Sequence, residues 1–264
     1  MKKKESLSFA VSFEELLVLL YHFKRKELAG LDQSPLNDMS EKEKNLLMAV
    51  AERALIARGF LTRGVDNKIK MIDPVLALVG TCLESEISLV VKNTPTNSME
   101  QLFFFHTARK MRVMHTTPMT GVHQLIAVED DKAFLKALVS AISLGDVQRL
   151  NCKDSTLDLA VLTAVRDEAL EKGAEVAAKT LLENNLLEDT AKEFAQSLSI
   201  PVSNTTISFI RSLDDVVEGF TLFKGQNSLW LITPNNDDDL VSIKNVSSND
   251  VIHKLKSLVS GTHS

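Results

Sequence analysis

The hexapeptide "LKALVS", Leu135 to Ser140, returns almost unchanged as "LKSLVS", Leu255 to Ser260. One short near-identity between amphipathic helices carries little, because such helices reuse Leu and Lys. The order of the segments around it carries much more. Ser12 and Glu15 form a capping-box pattern at the start of "SFEELLVLLYHF", with Leu16, Leu19, Leu20 and Phe23 on one face. Ser40 and Glu43 repeat the pattern before a helix running to about Arg58, with an apolar stripe of Leu47, Val50, Ala51, Ala54 and Leu55, and Gly59 stops it. "FLTRGVDNKIKMI" reads as a small hairpin turning near Asp66 and Asn67, or as an irregular link. Asp73 as N-cap with Pro74 in the first turn predicts a short helix, "DPVLALVGTCL". The period then turns alternating through "EISLVVK", "EQLFFFHTA", "RVMHTTP" and "VHQLIAV", and Asp130 caps "DKAFLKALVSAI".

From Ser155 the same order begins again. "STLDLAVLTAV" stands opposite "SFEELLVLL", with Leu16/Leu159, Val18/Val161 and Leu19/Leu162 in register. "AAKTLLENNLL" stands opposite "AERALIARGFL", and "TAKEFAQSL" takes the place of the short helix. The strands "TTISFI", "GFTLFKG", "LWLITP" and "LVSIKNV" follow, and Asp250 leads into "VIHKLKSLVS". The predicted fold class is therefore α+β. Two quasi-repeated halves, 1–145 and 146–264, each hold helices, a four-stranded antiparallel meander and a closing helix. Short links between strands favour the antiparallel arrangement. Meander edges need cover, and the link "SLGDVQRLNCKD" has no Pro- or Ser-rich tether, so the halves are expected to form one composite domain about a pseudo-two-fold axis.

Totals exclude some classes of function. A formal charge of −5 argues against broad nucleic-acid binding, which needs a basic face to neutralise phosphates. Cys82 and Cys152 lack CxxC spacing and suit a reducing compartment. The amino-terminal apolar run is interrupted by Glu14 and Glu15, and no run approaches the ~18 apolar residues of a membrane span. A cytoplasmic protein is expected, with no membrane partner.

Chemistry is sparse. There is no GxGxxG, P-loop, HExxH or GxSxG, and no Ser-His-Asp set can be argued from spacing. No catalytic residue, metal or cofactor is assigned, and an enzyme is not expected. His106, His115 and His123 fall on neighbouring predicted strands and read as sheet histidines, since close carboxylates or thiols of ligand spacing are missing. "NNDDD", Asn235 to Asp239, lacks the Gly and the later Glu of an EF-hand and reads as a solvated turn; Asp214 and Asp215 read as loop. The polar "KNTPTNSME" between the first two meander strands is the candidate partner-contact loop, through Asn93, Thr94, Pro95, Thr96 and Asn97, because binding concentrates on loops held by a rigid scaffold.

The ordered set "SFEELLVLLYHF", "EKEKNLLMAVAERALIARGFL", "DPVLALVGTCLESEISLVV" and "VHQLIAVEDDKAFLKALVSAI" resembles the EspG family of type VII secretion chaperones. "RGFL" followed shortly by "DPVLALV" and a strand is the most telling local match, and "GFTLFKGQNSLWLITP" with its closing helix extends the resemblance over nearly the whole chain. The resemblance implies two α+β halves with quasi-two-fold symmetry. It also implies a cytosolic protein that keeps a helical secretion substrate soluble before export. The alternative is a winged-helix DNA-binding regulator: a helix, "RGFL", then a wing carrying Arg63, Lys68 and Lys70.

Overall fold

The computed structural model describes residues 7–65, 68–85, 88–212, 215–235 and 239–261. Chain contacts divide them into two compact units. The first gathers the chain up to Leu89 with Leu102–Phe134 and Ile210–Asp215; the second holds Val90–Gln101, Leu135–Phe209 and Val216 onward.

In the first unit, β1 (Ser8–Ser12) leads into α1 (Phe13–His22). The Ser12–Glu15 box forms as the sequence predicts: Glu15 N donates to Ser12 Oγ at 3.2 Å, and Ser12 N donates to Glu15 Oε2 at 2.9 Å. A 3-10 turn (Ser34–Leu36) precedes α2 (Glu41–Ala57), which carries the same box at Ser40 and Glu43. The hairpin reading of "FLTRGVDNKIKMI" is realised by β2 (Leu61–Arg63) and β3 (Ile69–Met71); its turn at Asp66 and Asn67 lies outside the described residues. α3 (Asp73–Glu84) starts one residue earlier than expected, with Ile72 as N-cap and Asp73 inside the first turn, where its charge faces the positive end of the helix. β4 (Ser88–Pro95) follows, passing to the second unit from Val90; β5 (Gln101–Ala108), β6 (Met111–Met119) and β7 (Val122–Val128) belong to the first from Leu102, and α4 (Asp131–Ile142), capped by Asp130 Oδ1 on Ala133 N at 2.7 Å, passes to the second unit from Leu135. Strand order in the first unit is β1-β7-β6-β5, antiparallel in each pair. Its core is aliphatic: Leu16, Leu19, Leu20, Leu55, Leu61, Val75, Leu78, Val113 and Leu125 are essentially solvent-free.

The second unit carries β8 (Ser155–Asp158), α5 (Leu159–Lys172), α6 (Ala174–Glu183), α7 (Glu188–Ser199), β9 (Ser203–Ser212), β10 (Asp215–Lys224), β11 (Leu229–Pro234), β12 (Leu240–Asn245) and α8 (Ser248–Gly261). Its strand order is β4-β9-β10-β11-β12-β8. Phe194 and Trp230, ring centroids 4.9 Å apart, centre its core. The indole N–H donates to Ser197 Oγ at 2.9 Å, which satisfies the only polar atom of a side chain that is wholly buried.

Among the described residues the element order of the first half recurs in the second, with the 3-10 turn and β2–β3 as additions to the first. Both halves differ from expectation in one respect. Each opens with a strand: β1 pairs with β7 and β8 pairs with β12. Ser155 is therefore a strand residue, and α5 is capped by Asp158, which accepts from Ala160 N at 2.7 Å. Four residues are too few to show alternation in sequence, and a partner strand about 85 positions away supplies the ladder that holds them.

Candidate protein-binding groove

In the second unit, α5 and the strands β9 to β12 together line a groove of about 490 Å³. Leu159, Leu162 and Thr163 of α5 form one wall, with Arg166 at the rim. The floor is a strip of short polar side chains, Asn204, Thr206 and Ser208 of β9 with Thr221 of β10. Thr206 Oγ1 and Thr221 Oγ1 lie 3.4 Å apart across that strip. Leu198, Phe223, Ile232 and Val241 continue the lining into the apolar core. Leu159 and Val216 stand exposed at the mouth, 47% and 58% accessible. Asn204 Oδ1 is buried and has no hydrogen-bond partner among the described residues. An apolar-walled groove with a few convergent polar groups is a surface for holding a ligand, and its lining among the described residues pairs the Ser and Thr hydroxyls with no His, Asp, Glu or Lys.

The expected contact loop is only partly a loop. β4 runs to Pro95, and Asn93 is completely buried. Its amide donates to Ala141 O at 3.2 Å, and its Oδ1 accepts from Thr205 Oγ1 at 3.0 Å. Asn93 is thus a joint between β4, β9 and the end of α4, with no surface to offer. Thr94, Thr96 and Asn97 are exposed and Pro95 is half-buried. Thr96 N donates to Val202 O at 3.1 Å. Around that contact stand Met99, Ile200 and Val202, each large, apolar and exposed.

The three sheet histidines of the first unit do face one another. His106, His115 and His123 are buried at 0%, 0% and 4% exposure. Ser88 Oγ lies 2.8 Å from His106 Nδ1, and His115 Nε2 lies 2.9 Å from His123 Nδ1. Burial holds His106 down at about 4, and it holds His115 well below the ordinary imidazole range, helped by its two histidine neighbours. No group of three or more His, Cys, Asp or Glu among the described residues is arranged to hold a metal. Cys82 is buried and its thiol is pushed upward, so it is not activated as a nucleophile. Of "NNDDD", Asn236, Asp237 and Asp238 lie outside the described residues, as does Asp214.

Among the described residues no helix is long and apolar enough to cross a membrane. Sequence reasoning missed the groove because Leu159 and Leu162 read as ordinary core positions of a repeated helix. The available signal was the run "NTTIS", in which polar residues occupy alternate positions on the strand face turned toward a helix.

No family model matches the chain, and no curated protein matches it in sequence. Among solved structures it is similar to the Mycobacterium tuberculosis type VII secretion system chaperone EspG5, determined in complex with a PE25–PPE41 dimer. That match covers 96% of this chain and 95% of the other, with a TM-score of 0.66 and 10% sequence identity. The fold is therefore shared nearly end to end, with few side chains in common.

Proposed function

We propose that this chain is a cytoplasmic, chaperone-like binding protein that holds a helical secretion substrate in soluble form before export. The observation that carries the reading is the end-to-end likeness in fold to a secretion chaperone solved with its partner. The groove between α5 and the strands supports it, because reversible burial of an exposed apolar segment is what such a protein must offer. The polar floor suits a helix that brings one or two hydrogen-bonding side chains among its apolar ones, and the buried Asn204 acceptor favours a donor there. Exposed Met99, Ile200 and Val202 beside Thr96 extend the same apolar character to the loop, so Thr94, Pro95, Thr96 and Asn97 remain proposed contacts and Asn93 supports them from beneath. Derivation of 1–145 and 146–264 from one duplicated unit belongs to the same proposal, supported by their common element order.

The winged-helix alternative has the β2–β3 hairpin in its favour. Against it, the exposed side of α2 interleaves Lys42, Asn45 and Arg53 with Glu41, Glu43, Leu46 and Val50, where a DNA-reading helix presents cationic and amide side chains without carboxylates among them.

The test is to tag the full chain in its native cell, purify it gently and identify what accompanies it. A small helical protein at stoichiometric yield is expected. It should be lost from a Leu159→Glu/Val216→Glu variant, whose thermal midpoint should not move because both side chains stand at the surface. Recovery of the wild-type chain alone, or with DNA, overturns the reading.

A further inference from the structure

The apolar stripe of α2 is wider than the core beneath it. Of the five stripe residues, only Ala51 and Leu55 are buried. Val50 is 55% exposed, and Leu46, one turn before it, is 64% exposed. Leu46 and Val50, with Leu47, Ala54 and Met39, line an open groove of about 620 Å³ between α2 and the start of α1, entirely within the first unit. Two large aliphatic side chains at i and i+4 on one helix, beside a groove, form the surface that takes an amphipathic helix laid against it.

The rim states the sign of the partner. Its charged lining residues are Glu14, Glu15 and Glu43. Glu15 is neutralised by Arg58, whose Nη1 lies 2.5 Å from Glu15 Oε2. Glu14 accepts from Ser12 Oγ at 2.7 Å and Glu43 from Ser40 Oγ at 2.6 Å. Neither carboxylate has a cationic partner among the described residues. Two uncompensated negative charges at an apolar groove repel nucleic acid and an anionic bilayer alike, and they favour Lys or Arg flanking an apolar face.

We propose that this groove is a second docking surface, for a cationic amphipathic helix of a protein partner. It is separate from the α5 groove and does not depend on the chaperone reading. The probe is a labelled synthetic helical peptide with Leu at helix-spaced positions and Lys on its flanks. A twin with Glu in place of Lys, and a scrambled peptide of the same composition, serve as controls. The full chain should bind the Lys peptide in fluorescence anisotropy, and both controls at least roughly tenfold more weakly. Leu46→Ser/Val50→Ser should weaken the Lys peptide by about tenfold or more with the thermal midpoint unchanged. Glu14→Gln/Glu43→Gln, in which the new amide at the second position keeps the α2 cap, should weaken it and flatten its salt dependence. The Leu159→Glu/Val216→Glu variant should bind it as the wild type does, so a failed chaperone reading leaves this result standing. Equal binding of the scrambled peptide, indifference to Leu46→Ser/Val50→Ser, or a wild-type dimer in sedimentation that this double variant dissociates, overturns the proposal.

Discussion

His115 Nε2 and His123 Nδ1 are 2.9 Å apart, with both rings buried against the first unit's core. Such a bond needs one ring N–H and one bare ring nitrogen, so it does not survive protonation of both rings. His106 adds a third neutral ring, its centroid 6.1 Å from that of His115. The surroundings are almost uncharged. Glu14 of α1 is the carboxylate that acts on His123, and the Ala29 carbonyl favours a charged His115; burial outweighs both. The folded-state values therefore lie below the ordinary 6.5, and the unfolded chain binds more protons as pH falls. Stability is complete above about pH 6.5 and declines toward the folded value of about 4 for His106. That ring alone accounts for a loss on the order of 3 kcal/mol. Thermal midpoints of the wild type should fall steadily from pH 7 to pH 4.5. In a His115→Phe/His123→Leu variant the fall should be shallower, and an equally steep fall would disprove the assignment.

Gly30 presses on the same cluster. Its φ is +90°, and a Cβ there would come within 2.9 Å of His115 Cε1 and still closer to the Phe104 ring. Neither neighbour is a flexible chain end, since both rings sit stacked in the sheet. Gly30→Ala should cost about 1–3 kcal/mol, from backbone strain and displacement of the rings together. Gly59, also at positive φ, has nothing within 4 Å of its added Cβ. Gly59→Ala should therefore destabilise less in the same urea titration.

The capping boxes at Ser12 and Ser40, the meander strands and the closing helices were legible because each depends on a few adjacent residues. β1 and β8 were not, because a strand of four or five residues is defined by its partner, β7 or β12, far along the chain. The facing histidines could be placed on neighbouring strands from sequence. Their burial could not, since it depends on the Lys24–Gln33 segment that brings Gly30 over Phe104. The α2 stripe misled for a related reason. Periodicity reports which residues share a face, and it does not report how much of that face a neighbour covers.

The β2–β3 hairpin gives the winged-helix alternative a sharp test. Arg63 and Lys70 are exposed on β2 and β3, and Arg63 lies 3.8 Å from Glu52. With carboxylates nearby and Glu41, Glu43, Leu46 and Val50 interleaved among the exposed residues of α2, titration of duplex DNA at low salt should give a flat curve. Saturable, salt-dependent binding that Arg63→Ala/Lys70→Ala abolishes would instead establish the regulator.

Asn93 and Thr96 are three residues apart and should respond in opposite ways. Asn93 joins three elements: its amide meets Ala141 O at the end of α4, and its oxygen accepts from Thr205 of β9. Asn93→Ala leaves the Thr205 hydroxyl and a helix-end carbonyl buried without these bonds, which costs about 1–3 kcal/mol. Asn93→Asp keeps the acceptor but places a carboxylate against the Ala141 carbonyl, and it should destabilise at least as much. Thr96 and Asn97 are exposed; Thr96 N donates to Val202 O, a bond that a side-chain change leaves in place, while the Thr96 hydroxyl donates to Pro201 O, an exposed bond that the change removes. Thr96→Glu/Asn97→Glu should therefore cost no more than about 1 kcal/mol, the loss of one exposed hydrogen bond. If this hairpin end takes part in holding an apolar helix, the same double variant should weaken the co-purified complex, because two charges would face Met99, Ile200 and Val202. Unchanged affinity removes the loop from the binding surface and leaves the groove beneath α5. A loss of stability in this variant, equal to that of Asn93→Ala, would show that the hairpin end is structural throughout.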